Sequence, residues 1–213
     1  MASLVIPPSL PLVGLAGSRD GEQLRTTGLL GQRLGDPPRR HGTSMLVVVA
    51  STAAYPLLRG RTALKELRLA NNELTGGLGP LRSCTSLQWL ELGHKQLTGG
   101  LEPLRGCTAL AALELEGNQL TGSLEPLQGC VALQCLALSD NELTGGLEPL
   151  RGCKKLEELA LQKNKLTGDL EPLRGCAALQ WLHCGDNQLT PTKADKAHFE
   201  KQCKKFASLS GLT

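Results

Sequence analysis

From Thr62 to Cys176 the chain writes one 23-residue unit five times. The copies start at Thr62, Thr85, Thr108, Val131 and Lys154, and each closes on a cysteine: Cys84, Cys107, Cys130, Cys153 and Cys176. A sixth copy starts at Ala177 and leaves the pattern after Thr190. Superposed, the copies read x-x-L-x-x-L-x-L-x-x-N-x-L-T-G-x-L-x-P-L-x-x-C. A unit this short cannot bury its own leucines, whereas several stacked in register make one continuous core. The repeat therefore predicts a solenoid, with the remaining residues as caps or extensions.

The motif L-x-x-L-x-L-x-x-N-x-L is met at Leu110, Leu113, Leu115, Asn118 and Leu120, and again at Leu133, Leu136, Leu138, Asn141 and Leu143. On these residues the string resembles the leucine-rich repeat family. The T-G-x-L stretch that follows (Thr121, Gly122, Leu124) is similar to the plant-type subclass. The chain departs from that subclass by a unit one residue shorter and by a proline one place later, at Pro103, Pro126, Pro149 and Pro172. Both departures fall where the subclass forms a second, convex strand. The resemblance implies an α/β fold: a right-handed solenoid of about six coils, with a parallel sheet lining the concave face that such proteins offer to partners.

Within 213 residues there is room for one such domain plus flanks. Trp89, Trp181, Tyr55, Phe199 and Phe206 are the whole aromatic inventory, so the core is predicted to be leucine and cysteine. A net charge of +3, with no basic stretch interleaved with aromatics, argues against nucleic acid. Five of the eight cysteines recur at one repeat position, where they read as small buried hydrophobes. Stacked coils would bring neighbouring cysteines near disulfide reach. Yet paired flanking cysteines and Asn-x-Ser/Thr sequons are missing from the sequence, which favours thiols in a reducing, cytoplasmic compartment.

The flanks divide the chain further. Residues 1–44 read as a poorly ordered extension. Pro7, Pro8 and Pro11 interrupt its apolar opening and no basic residue precedes it, unlike a secretory signal; five arginines before His41 leave a transit peptide open. Residues 45–61 read as a degenerate capping coil, with Leu46 to Ala50 as its strand, because the run is too short to span a bilayer and ends in a copy of the repeat junction. The repeat domain covers 62–190, and 191–213 form a capping helix and tail. There Thr192 and Asp195 make a capping box, and Phe199, Cys203 and Phe206 share one helical face as far as Ala207.

Comparing the copies separates what the fold demands from what it leaves free. The leucines, the asparagine, Thr-Gly and Pro-Leu barely change. Asn72, Asn118, Asn141, Asn164 and Asn187 are predicted to form an amide ladder, broken by Lys95 in the second copy. The residues between leucines vary, and alternation along a strand turns them away from the core. Their columns run Glu66, Trp89, Ala112, Cys135, Glu158, Trp181; then Arg68, Glu91, Glu114, Ala137, Ala160, His183; then Ala70, Gly93, Glu116, Ser139, Gln162, Gly185; and last Asn71, His94, Gly117, Asp140, Lys163, Asp186. Seven acids stand there against Arg68 and Lys163, on a chain that is basic overall. The segregation predicts a face for a basic protein or peptide, gripped by Glu91, Glu114 and Glu116 with Trp89 as apolar anchor. The bland alternative is a solvated sheet with Trp181 tucked under the C-terminal helix.

Other chemistries find little footing. The sequence lacks a phosphate-binding G-x-x-x-x-G-K loop, a kinase signature and a G-x-S-x-G elbow, so no enzyme is predicted. His183, Cys184, His198 and Cys203 match no tight metal-ligand pair, and Cys184 fills a leucine slot; no metal or cofactor is predicted. The reading is thus a monomeric, non-catalytic interaction module that uses no membrane. Its alternatives are an extracellular or membrane-tethered recognition domain, and the regulatory part of a larger kinase- or GTPase-type protein.

Overall fold

The computed structural model describes residues 58–69, 74–94 and 96–204, and the backbone of short strands at 3–5, 23–25, 45–47 and 205–207. Each repeat opens with a three-residue strand carrying the second signature leucine at its centre. Interleaved with a second set, these are β4 (Glu66–Arg68), β6 (Trp89–Glu91), β8 (Ala112–Glu114), β10 (Cys135–Ala137), β12 (Glu158–Ala160) and β14 (Trp181–His183). All pair in parallel at an offset of one whole unit, so Leu67, Leu90, Leu113, Leu136, Leu159 and Leu182 stand in register. An offset equal to the repeat puts like residues beside like. The inward leucines are essentially inaccessible to solvent, and their strand neighbours form the outward face.

Three N-terminal strands continue this sheet: β1 (Ser3–Val5), β2 (Gln23–Arg25) and β3 (Met45–Val47), the last pairing Leu46 with Leu67. The expected extension over 1–44 lies outside the described residues except at β1 and β2. The strand predicted at 46–50 is described at 45–47, and 48–57 lie outside the described residues.

A second sheet follows the asparagine slot: β5 (Thr75–Gly76), β7 (Gln96–Gly99), β9 (Gln119–Gly122), β11 (Glu142–Gly145), β13 (Lys165–Gly168) and β15 (Gln188–Leu189). It forms despite the shorter unit and the later proline. Its pairs are offset by 21 residues, as in Thr98 with Gln119, two fewer than the 23-residue unit, so its register slants from coil to coil. The chain then returns through a single 3₁₀ turn, such as Glu125–Leu127, with proline near its start, where the missing N–H costs nothing, and Pro126 and Leu127 turned inward.

Between the sheets the core is leucine and thiol. The Cys107 thiol donates to the Cys84 carbonyl at 3.4 Å, Cys130 to Cys107 at 3.5 Å, and Cys153 to Cys130 at 3.6 Å. Each cysteine thus fills a small apolar space and caps a carbonyl of the coil before it. Burial pushes the Cys84, Cys130 and Cys176 thiols up to about 11, which keeps them protonated donors.

At the C-terminal end α1 (Lys193–Gln202) carries the expected capping box: the Thr192 hydroxyl accepts from the Asp195 amide, and the Asp195 carboxylate accepts from the Thr192 amide at 2.9 Å. Phe199 is fully buried, contributing about 2 kcal/mol. The helix is shorter than the spacing of Phe199, Cys203 and Phe206 predicts. Cys203 is already extended, and residues 205–207 form β16 (Lys205–Ala207), pairing Phe206 with Leu182. Pairing satisfies backbone groups that β14 would otherwise leave open at the sheet edge. Among the described residues no helix is long and apolar enough to cross a membrane.

Candidate functional site: the outward face of the main sheet

The sheet face is held from beneath by asparagines. Asn141 accepts from the Leu120 amide at 3.0 Å and donates to the carbonyls of Leu115, Leu138 and Ser139. Asn118, Asn164 and Asn187 repeat the arrangement, each tying its own coil to the one before. Lys95 and Asn72 lie outside the described residues. The frame fixes where the variable side chains emerge.

The structure divides the four predicted columns into two kinds. The first two are strand residues proper. The last is a left-handed turn: His94, Asp140, Lys163 and Asp186 have φ of 52–55°, and Gly117 has 65°. Gly and Asp suit that conformation, whereas His94 and Lys163 hold it at a cost. Gly117, Asp140 and Asp186 in one column are a sequence signal for this turn, and Asn71 lies outside the described residues. Asp140 and Lys163 pair with each other at 3.0 Å.

Trp89 is not an open anchor. The Arg68 guanidinium of the neighbouring strand stacks on its ring, 4.3 Å from the centroid. The indole Nε1 and the Arg68 Nε are buried without a hydrogen-bond partner among the described residues. Trp181, expected under the helix in the bland alternative, is 37% exposed. His183, next to it across Leu182, is partly buried, and Glu66 and Glu158 flank the face at the first and fifth repeats.

Acid gathers between the tryptophans. Glu91 and Glu114 are register partners on adjacent strands, where like charges oppose each other. Glu116 joins them from the third column. A Cβ at Gly93 would lie 2.7 Å from Glu116 Oε1, so the carboxylate occupies a notch that only glycine leaves, and its Oε2 is buried and unbonded. The His94 ring occupies the matching notch at Gly117. Burial raises the Glu114 carboxyl, and Glu91, Glu116 and Glu158 raise it further against the lowering pull of Arg68. Among the described residues every ion pair lies elsewhere, none on Glu91, Glu114 or Glu116.

Beside this cluster the floor is low: Ala112, Cys135, Ala137 and Ala160. Cys135, missed as a site feature by sequence reasoning, faces outward within it. Burial and then Glu114, Glu158 and Glu116 push its thiol up to about 12, which makes it a poor nucleophile. Cys184 sits in its leucine slot, fully buried.

No protein-family model and no curated protein sequence matches the chain. Solved structures do. The Arabidopsis receptor kinase HAESA, solved with the peptide hormone IDA and the co-receptor SERK1, is 28% identical with a TM-score of 0.58, over 61% of this chain and 23% of HAESA. The leucine-rich repeat ectodomain of the Arabidopsis receptor kinase SOBIR1 is 26% identical with a TM-score of 0.52, over 56% of this chain and 68% of that one. An internalin from Listeria monocytogenes shares the fold at 24% identity and a TM-score of 0.60, over 73% of this chain and 51% of its own. The chain thus spans under a quarter of the length of HAESA.

Proposed function

We propose that this chain, which belongs to the leucine-rich repeat family, is a non-catalytic recognition module whose concave sheet face binds a basic protein or peptide. One observation carries the reading: Glu91, Glu114 and Glu116 gather on one face with no ion pair among the described residues, the neighbouring Arg68 being stacked on Trp89 instead. Opposed carboxylates weaken a sheet unless something compensates, and a bound Lys or Arg side chain would do so. Glu66, Glu158 and His94 extend the acidic and polar rim, while Trp181 and His183 border the low floor. The Arg68–Trp89 stack would serve as one wall. Neighbours of the same fold support a protein or peptide as ligand, HAESA being solved with both.

The test is calorimetric titration of a lysine-rich peptide into the wild type and into the Glu91→Lys, Glu114→Lys, Glu116→Lys variant, at low and high salt. We expect the variant to lose at least about tenfold in affinity, a loss of about 1.4 kcal/mol, and most of the salt dependence. Unchanged affinity with unchanged salt dependence would remove the site from this face.

We place the protein in a reducing compartment, on the support of the thiol ladder, whose S–H donors a disulfide would remove. The likeness to the SOBIR1 ectodomain favours the extracellular alternative. Counting titratable thiols in protein isolated from its native source separates the two, eight supporting the first and pairwise loss the second.

A further inference from the structure

The exposed side of α1 is basic. Lys193, Lys196 and Lys201 are exposed: Lys193 and Lys201 lie opposite the side on which Asp195 and Phe199 are buried, Lys196 flanks it, and Glu200 falls between them. Lys204 follows directly and is exposed as well, its ammonium 2.8 Å from Gln180 Oε1. Of the two acids on the helix, Asp195 is consumed by Arg174, which pairs with it at 2.7 Å, so Glu200 alone opposes the lysines. The helix presents this face to solvent while its other side packs on the last coil.

The dimensions agree with the acidic face. Ten helical residues run about 15 Å. The four strands that carry Glu91, Glu114, Cys135 and Glu158 span about 14 Å at about 4.8 Å per strand. The floor over the third to fifth repeats is lined by Ala112, Cys135, Ala137 and Ala160, short side chains along the stack between the tryptophans. The length of the helix and the length of the stretch from Glu91 to Glu158 are therefore matched within one residue's rise.

We infer that the basic partner of the acidic face includes a second copy of this chain, whose C-terminal helix α1 docks across Glu91, Glu114 and Glu116 through Lys193, Lys196 and Lys201. This rests on the concave-face reading and names its ligand. The contact joins different surfaces of the two copies, so it closes as a dimer where two copies exchange helices reciprocally and otherwise propagates head-to-tail. Being built from exposed charges, it is weak and strongly dependent on ionic strength.

Sedimentation velocity over a concentration series tests it with the intact chain. Wild type is expected to associate at low salt and to dissociate in about 0.5 M salt, where screening acts within about 4 Å. The face variant (Glu91→Lys, Glu114→Lys, Glu116→Lys) and a helix variant (Lys193→Glu, Lys196→Glu, Lys201→Glu) should each remain monomeric alone. Mixed in equal amounts they should associate again, because each supplies the charge the other lacks. Circular dichroism melts confirm that both variants are folded. Wild type that stays monomeric at low salt overturns the inference, as does association that either variant leaves intact, or a mixture that stays monomeric. A monomeric wild type that still binds the lysine-rich peptide sinks the self-docking and leaves the concave-face reading standing; one that binds neither sinks both.

Discussion

Glu114 sets binding against stability. Its folded carboxyl lies above the ordinary glutamate value through burial and the neighbouring acids, so the native state holds that proton more tightly than the unfolded chain does. The linked stability is fully present below the unfolded value and is lost as pH rises through the folded one. Glu114→Gln should therefore stabilise the protein near neutral pH by up to about 1 kcal/mol in urea unfolding, while weakening the lysine-rich peptide. In the wild type, peptide affinity should fall on acidification through a midpoint above the usual glutamate range, as stability from this group rises; a midpoint at the ordinary value would mean that Glu114 is not in the contact. A second residue prediction concerns the ladder. Lysine has no acceptor, so Lys95 cannot take the Leu74 amide as Asn118 takes that of Leu97. Lys95→Asn should raise stability by about 1 kcal/mol, and Asn141→Ala should lower it by about 2–4 kcal/mol by stranding buried backbone groups. Both are read from urea midpoints. The asparagines were legible in the sequence because five copies of one slot agree. The Arg68–Trp89 stack and the Glu116 notch were not, since each depends on a side-chain choice between neighbouring coils that no single repeat contains.

The C-terminal helix hangs on one carboxylate. Asp195 is fully buried and bonded by the Thr192 amide, the Thr192 hydroxyl and Arg174. Burial alone would raise it, but those bonds outweigh burial and hold it below the ordinary aspartate value. Its contribution is present above the unfolded value and is lost as pH falls through the folded one, opposite in sign to Glu114. Asp195→Ala should cost about 2–4 kcal/mol, against about 1 kcal/mol for Thr192→Ala. Hydrogen exchange should locate the loss in α1 amides first; uniform loss across the sheet would show that the helix and solenoid unfold as one. The capping box was legible because it lies within four residues. Arg174 as its partner was not, being 21 residues away with no repeat to announce it. The end of α1 was misjudged because helical spacing of Phe206 competes with a strand position beside Leu182, and pairing an open sheet edge wins. The turn column was misread as well: alternation alone took it for strand, although its Gly and Asp residues suit the left-handed position found there.

In a solenoid each coil meets only its neighbours, so a whole unit can be removed without rearranging the rest. That makes the repeat itself a tool for separating fold from function. Deleting 131–153 brings β12 against β8, with Leu159 opposite Leu113 and Asn164 placed to take the Leu120 amide that Asn141 held. Deleting 108–130 brings β10 against β6, and Asn141 takes over the Leu97 amide. Both deletions remove one coil and one interface of the same kind, and the difference is four exposed ion pairs lost only in the first, Lys163–Asp140, Lys165–Glu142 and those of Arg151 with Glu148 and Glu171, each worth below about 1 kcal/mol. Their melting temperatures should both fall, that of the first slightly further. Their binding should not: the first keeps Glu91, Glu114 and Glu116, whereas the second discards Glu114 and Glu116 and sets Ala137 beside Glu91. The lysine-rich peptide should bind the first within about threefold of wild type and the second at least about tenfold more weakly, a gap of about 1.4 kcal/mol. Equal binding by the two deletions would show that affinity follows the net charge or the length of the solenoid rather than the three converging glutamates. Unequal binding in the predicted order would place recognition on two adjacent coils of an array whose core does not distinguish among its copies.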